Sequence, residues 1–136
     1  MRILIDTNVV LDLIQQRQDF YDDARDVFAA IRDEKIEGYI TVKSLADIHY
    51  VTKHILHNEA KVRAIIQSLL TLVRLLDSSA ADASAALNSN INDYEDALMS
   101  QTALSSGMNY ICTRNIRDYR NSGVAAILPE DLLKII

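Results

Sequence analysis

Four aspartates, Asp6, Asp47, Asp96 and Asp118, each stand where an apolar strand-like run has just ended or a helix-like run has just begun, although they are spread over most of the 136 residues. In a parallel α/β sheet, the strand tails and the first turns of the returning helices share the carboxyl edge, so side chains remote in sequence can meet there. Two carboxylates about 4 Å apart repel by roughly 4 kcal/mol at an effective dielectric of about 20. A marginally stable domain keeps several together only with compensation, and a divalent cation supplies it. All-oxygen donors point to Mg²⁺ or Mn²⁺, whereas zinc would call for Cys or His.

Each acid also has a structural explanation. Asp6 follows Ile3-Leu4-Ile5 and precedes Thr7-Asn8, so it could cap the next helix, yet an acid on an all-apolar strand tail must face water or a cation. Asp47 closes Ser44-Leu45-Ala46-Asp47, which fits a capping box as well as it fits a metal ligand. In Asp93-Tyr94-Glu95-Asp96, Asp93 is the expected N-cap, which leaves Asp96 free one turn into the helix, with Asp93 and Glu95 in reserve. Asp118 lies in Thr113-Arg114-Asn115-Ile116-Arg117-Asp118-Tyr119-Arg120, where a turn role is the alternative. Arg114, Arg117, Arg120 and Lys43 would set positive charge beside the acids, either for phosphate contacts or as a solvated face. His49, His54 and His57 lack the i, i+4 spacing of a ligand pair and read as helix residues.

The elements that would position these groups can be read from periodicity. Apolar runs at residues 2–5, 38–42, 72–76, 109–112 and 124–128 read as strands, most of them continuous as in a sheet covered on both faces. Helical spacing marks 19–34, 44–56, 59–70 and 93–106, and Val9 to Ile14 is helix-like. Gly38, Gly107 and Gly123 each precede a strand and are expected to form left-handed caps, and Pro129 resembles a helix start. The order β-α-α-β-α-α-β-α-α-β-α-β-α predicts an α/β fold with a parallel sheet between helical layers.

Length, 49% apolar and 24% charged residues, and the absence of biased tracts predict a single globular domain over residues 1–136. One cysteine, Cys112 in an apolar run, excludes a disulfide framework and is expected to be buried and inert. No run has the length of a signal or membrane segment, so the expected location is cytoplasmic with no membrane partner. A net charge of −5 argues against a general electrostatic grip on nucleic acid but not a local one.

On Ile3-Leu4-Ile5-Asp6-Thr7-Asn8, Asp93-Tyr94-Glu95-Asp96-Ala97, and Ile111-Cys112-Thr113-Arg114-Asn115 followed by Asp118 and Pro129, the chain resembles the PIN-domain family of metal-dependent ribonucleases, in particular its small, VapC-toxin-like members. The resemblance implies a three-layer α/β/α sandwich with strand order 3-2-1-4-5. It implies catalytic acids Asp6, Asp47, Asp96 and Asp118, with Asp6, Asp96 and Asp118 on the metal and Asn8, Thr113 and Asn115 in support. Arg114, Arg117, Arg120 and Lys43 would face RNA, and an antitoxin and a second copy of the chain would be partners. The second acid in the family is commonly glutamate, so the shorter Asp47 is expected to reach metal through water. Two other readings compete: a haloacid-dehalogenase-like phosphatase, which lacks its second acid because Asn8 stands there, and a phospho-receiver with Asp77 as acceptor, whose late lysine could only be Lys134.

Overall fold

Ile3, Leu4 and Ile5 are completely buried, as a central strand flanked by other strands and covered on both faces requires. They belong to β1 (Arg2–Ile5), which is followed by α1 (Thr7–Ile14) and α2 (Tyr21–Arg32). Then come β2 (Glu37–Thr41), α3 (Val42–Leu56), α4 (Glu59–Leu69), β3 (Arg74–Leu76), α5 (Ala80–Leu87), α6 (Tyr94–Ser105) and β4 (Tyr110–Cys112). A single 3₁₀ turn, Ile116–Tyr119, leads to β5 (Ala126–Ile127) and α7 (Pro129–Ile135). The computed structural model describes residues 1–136.

The strands form one parallel sheet in the order 3-2-1-4-5, as the resemblance implied, with Leu4 opposite Tyr39 of β2 and Ile111 of β4. Side chains alternate across it. Ile3, Ile5, Ile40 and Cys112 join Val9, Val27, Phe28, Ile48 and Leu132 in the larger core, on the face covered by α1, α2, α3 and α7. Leu4, Tyr39 and Ile111 face the other way, toward Ala103, Met108, Tyr119 and Val124, where α6 and the 3₁₀ turn close the third layer. Each fully buried Ile or Leu is worth about 1.5–3 kcal/mol, so the sheet is anchored where β1 runs. No helix is long and apolar enough to cross a membrane. Burial pushes the Cys112 thiol up to about 12, in keeping with an inert thiol.

Three local expectations change. Of the glycines only Gly107, at φ 67°, is left-handed; Gln16, Asp19, Glu34 and His57 take the other left-handed positions. Gly38 lies inside β2, where any Cβ would collide with Ile31 Cδ1, so its role is close helix-to-sheet packing. The connection between β4 and β5 is the 3₁₀ turn rather than a helix.

Asp12, which no sequence motif singles out, is 1% exposed on α1 and is held by Arg114 Nε at 2.6 Å and Nη2 at 3.2 Å, with Arg17 Nη1 at 3.4 Å. The Arg114 guanidinium also stacks 4.0 Å from the Phe20 ring. This bidentate pair ties α1 to the segment after β4. Breaking a buried ion pair leaves an uncompensated charge. Arg114→Met is therefore expected to lower the unfolding free energy in urea by about 3 kcal/mol, at the low end of that penalty because Arg17 stays, and Asp12→Asn added to it should recover part of the loss. A single-variant loss below about 0.5 kcal/mol would show the pair to be superficial.

Candidate active site

The carboxyl edge of β1 delivers Asp6. Its N–H still donates to the Cys112 carbonyl at 2.9 Å, and its Oδ1 accepts from the Thr7 N–H at 2.8 Å, so it caps α1. Capping uses only that oxygen. Oδ2 accepts from Thr113 Oγ1 at 2.8 Å, from Asn8 Nδ2 at 3.3 Å and from the Tyr119 hydroxyl at 3.4 Å. Thr113 is fixed in turn, since its Oγ1 accepts from the Asn115 N–H at 3.0 Å and from Asn8 Nδ2 at 3.4 Å. Of the three support residues expected from the sequence, Asn8 and Thr113 contact Asp6, and Asn115 reaches it only through Thr113, to which its backbone N–H donates. Every one of these donors is neutral. Burial pushes the Asp6 carboxyl above its ordinary value, hydrogen bonds from Thr113, Thr7 and Tyr119 pull it back, and Asp118 pushes it up again.

Asp96 approaches the same edge from α6. Asp93 is the N-cap, its Oδ1 accepting from the Asp96 N–H at 3.0 Å, which leaves the Asp96 carboxylate outside the cap. Asp96 Oδ1 lies 3.3 Å from the Tyr119 hydroxyl. Burial first, then the charges of Asp93, Asp6 and Asp118, raise its pKa to about 6. Tyr119 carries one proton and touches two carboxylates, so it can donate to only one of them at a time. Asp6, Asp96 and Asp118 therefore converge electrostatically, with Asp118 on the exposed side of the 3₁₀ turn.

Asp47 enters from α3 without the expected capping box. Thr41 is the N-cap, its Oγ1 accepting from the Ser44 N–H at 3.0 Å, because α3 begins earlier than the spacing suggested. Asp47 is paired instead with Lys43 Nζ at 2.5 Å, and the same ammonium lies 3.1 Å from Glu95 of α6. Asp6, Lys43, Asp47, Glu95 and Asp96 line one cavity of about 200 Å³. Asp93, Asp96, Arg117, Asp118 and Arg120 line a second, of about 350 Å³, so Asp96 stands between the two. Arg114 does not belong to this group: it is committed to Asp12 and lines a separate cleft with Phe20.

The donor set suits a hard dication, because carboxylates raise one another's pKa here and no arginine or lysine touches Asp6 or Asp96. No three acidic, His or Cys side chains enclose an ion as they stand. Mg²⁺ does not need that, since it commonly binds one or two carboxylates and keeps several waters. Asp6 and Asp96 could hold it directly and Asp118 through water. The histidines stay apart from the edge: His49 Nε2 meets Glu59 Oε1 at 2.8 Å, and His57 is the left-handed C-cap of α3.

Tyr119 is the residue that sequence reasoning missed. It is 3% exposed between Arg117-Asp118 and Arg120-Asn121-Ser122, and a lone aromatic next to Asp118 was the available signal.

A family model for the PIN domain matches residues 2–117. No curated protein sequence matches the chain. Among solved structures, VapBC2 from Rickettsia felis bound to a promoter DNA fragment aligns with a TM-score of 0.72 at 15% identity, over 94% of this chain and 98% of that one. DNA-bound VapBC from Salmonella typhimurium aligns at 0.70 and 16% identity, over 95% and 98%. VapC20 from Mycobacterium tuberculosis, a sarcin-ricin loop cleaving toxin, aligns at 0.63 and 16% identity, over 80% and 86%. At such identities the likeness is one of fold. The family match covers most of the chain and includes Asp6, Asp47 and Asp96, and the strand order and acidic edge agree with it: the chain belongs to the PIN domain family.

Proposed function

We propose that the protein is a divalent-metal-dependent endoribonuclease that hydrolyses RNA phosphodiester bonds, with Mg²⁺ or Mn²⁺ as cofactor. The observation that carries this reading is the pair Asp6 and Asp96, two carboxylates from different layers sharing one phenol with no cationic side chain on either. Asp6 and Asp96 would hold the ion, with Asp118 close enough to add its charge. When bound, the ion supplies Lewis acidity, lowering the pKa of a water and offsetting charge on the phosphate. Thr7, Asn8 and Thr113 orient Asp6, while Tyr119 sets its spacing from Asp96. Arg117 and Arg120, on the cavity that Asp96 and Asp118 share, contact the RNA backbone and fix its register without reading bases.

The likeness to toxin–antitoxin complexes over nearly the whole chain supports a toxin role with an antitoxin as partner; we further place the protein in the cytoplasm, as a homodimer. The receiver reading loses its footing in the sheet. A receiver follows the order 2-1-3-4-5, whereas here β3 is an edge strand and Asp77 follows it, separated from Asp6 by β2. Lys134 is taken up by Asp131 at 2.8 Å. The phosphatase reading fails at Asn8, which donates to Asp6 and cannot serve as an acid.

With single-stranded RNA and Mg²⁺, Asp6→Asn and Asp96→Asn are each expected to lower the cleavage rate at least about 100-fold while leaving the circular dichroism unchanged. Cleavage at the wild-type rate by either variant would remove these acids from the reaction.

The pH dependence of metal binding follows from Asp96. Its folded pKa, about 6, lies above the ordinary value of 3.8, so the folded protein holds the extra proton. Ionising Asp96 therefore costs stability as pH rises from about 4 to about 6, and the cost is fully present above that. A dication relieves it but competes with the proton below. Saturating Mn²⁺ is thus expected to raise the melting temperature strongly at about pH 7.5 and little at about pH 5, with affinity falling nearly tenfold per unit below about 6. An equal or larger shift at the lower pH would contradict this assignment.

A further inference from the structure

Lys43 is the one cation on the cavity between α3 and α6, where Asp6, Asp47, Glu95 and Asp96 supply four carboxylates. Its ammonium reaches Asp47 at 2.5 Å from the same helix and Glu95 at 3.1 Å from across the cavity. Burial pulls the lysine pKa down, but hydrogen bonds to Asp47 and Glu95 outweigh it and hold the pKa above the ordinary value, so the group stays charged. A surface ion pair of this kind contributes little to stability. Its position is more informative, because it joins the two acids of this cavity that do not touch Asp6, Asp96 or Tyr119.

We propose that Lys43 takes the place of a second metal ion, so that the centre binds a single dication at Asp6 and Asp96 while the lysine ammonium bridges Asp47 and Glu95 and offsets one of their two charges. This rests on the reading of the acidic edge as a dication site. The charge balance supports it. With Lys43 in place the cavity carries three net negative charges, and one dication leaves one; without Lys43 it carries four, which two dications would cancel. The geometry agrees, because a lysine is a compact point charge on a flexible stem and can bridge two carboxylates without the coordination shell that a hard metal demands. Asp47, shorter by one methylene than the glutamate common at this place in the family, is also within reach of the residue one helical turn before it. Lys43 is thereby a positioning residue rather than a contact for RNA phosphate, since the carboxylates already engage it.

The test is isothermal titration of the full chain with Mn²⁺ at neutral pH and without RNA, so that binding is read apart from cleavage. Wild type is expected to bind about one Mn²⁺ per chain, and Lys43→Met about two. Lys43→Arg, which retains the charge, should return to about one. Adding Asp47→Asn to Lys43→Met should remove the second ion and leave the first. Wild type binding two ions, or Lys43→Met binding only one while its circular dichroism matches wild type, would overturn the role of Lys43 and leave the nuclease reading standing. Wild type binding no Mn²⁺ would instead overturn the metal-dependent reading itself, and this inference with it.

Discussion

The active edge is organised around one costly feature, a buried carboxylate with only neutral partners. Asp6 is 9% exposed and receives hydrogen bonds from a backbone N–H, a hydroxyl, an amide and a phenol, but no positive charge. Neutral donors reduce the cost of desolvation without cancelling the charge. The protein meets its other buried aspartate in α1 differently. Asp12 is buried still more deeply and is given two arginines. The contrast between these two carboxylates, one capping α1 and one within it, lies in the charge of their partners: arginines satisfy Asp12, whereas neutral donors leave the charge of Asp6 uncompensated.

The fold makes that feature possible. β1 sits between β2 and β4, so the chain leaves its end at the point where strand order reverses and the helices on either face diverge. Thr113 extends β4 and Tyr119 closes the 3₁₀ turn, which brings a hydroxyl and a phenol to Asp6 from beyond a neighbouring strand. α6 supplies Asp96 because Asp93 has already satisfied its cap. The rigid core of Ile3, Ile5, Val9 and Val10 holds the strand tail and first helical turn in one relation. The carboxylates are thus set by packed elements rather than by loops.

The sheet was legible because its strands are continuous apolar runs separated by clearly periodic helices, and that pattern depends on burial, which the sequence records. The convergence of Asp6, Asp96 and Asp118 was legible for the same reason: it follows from topology. The fine placement of charge was not. Asp47 could be read as a capping residue because Ser44 looked like a cap, yet α3 starts at Val42 with Thr41, the last residue of β2, as its N-cap. Arg114 belonged by spacing to a row with Arg117 and Arg120, but the 3₁₀ turn spans only Ile116–Tyr119 and leaves Arg114 outside it, where a buried acid upstream captured it. Pairing across elements is a tertiary property, and sequence spacing holds no record of it.

The distribution of cations then follows a single rule: each basic side chain near the edge is engaged in proportion to how deeply its acid is buried. Arg114 is bound bidentately to fully buried Asp12 and braced by Phe20. Lys43 is shared between half-exposed Asp47 and exposed Glu95. Arg117 and Arg120 are exposed, line the outer cavity beside Asp118, and form no ion pair within the chain. A guanidinium left exposed and unpaired next to an acidic centre costs nothing to desolvate in advance and can meet a phosphate bidentately when one arrives. Of the cations beside the acids, Arg117 and Arg120 are thus the ones not already engaged by a carboxylate, which is why they are assigned the RNA backbone.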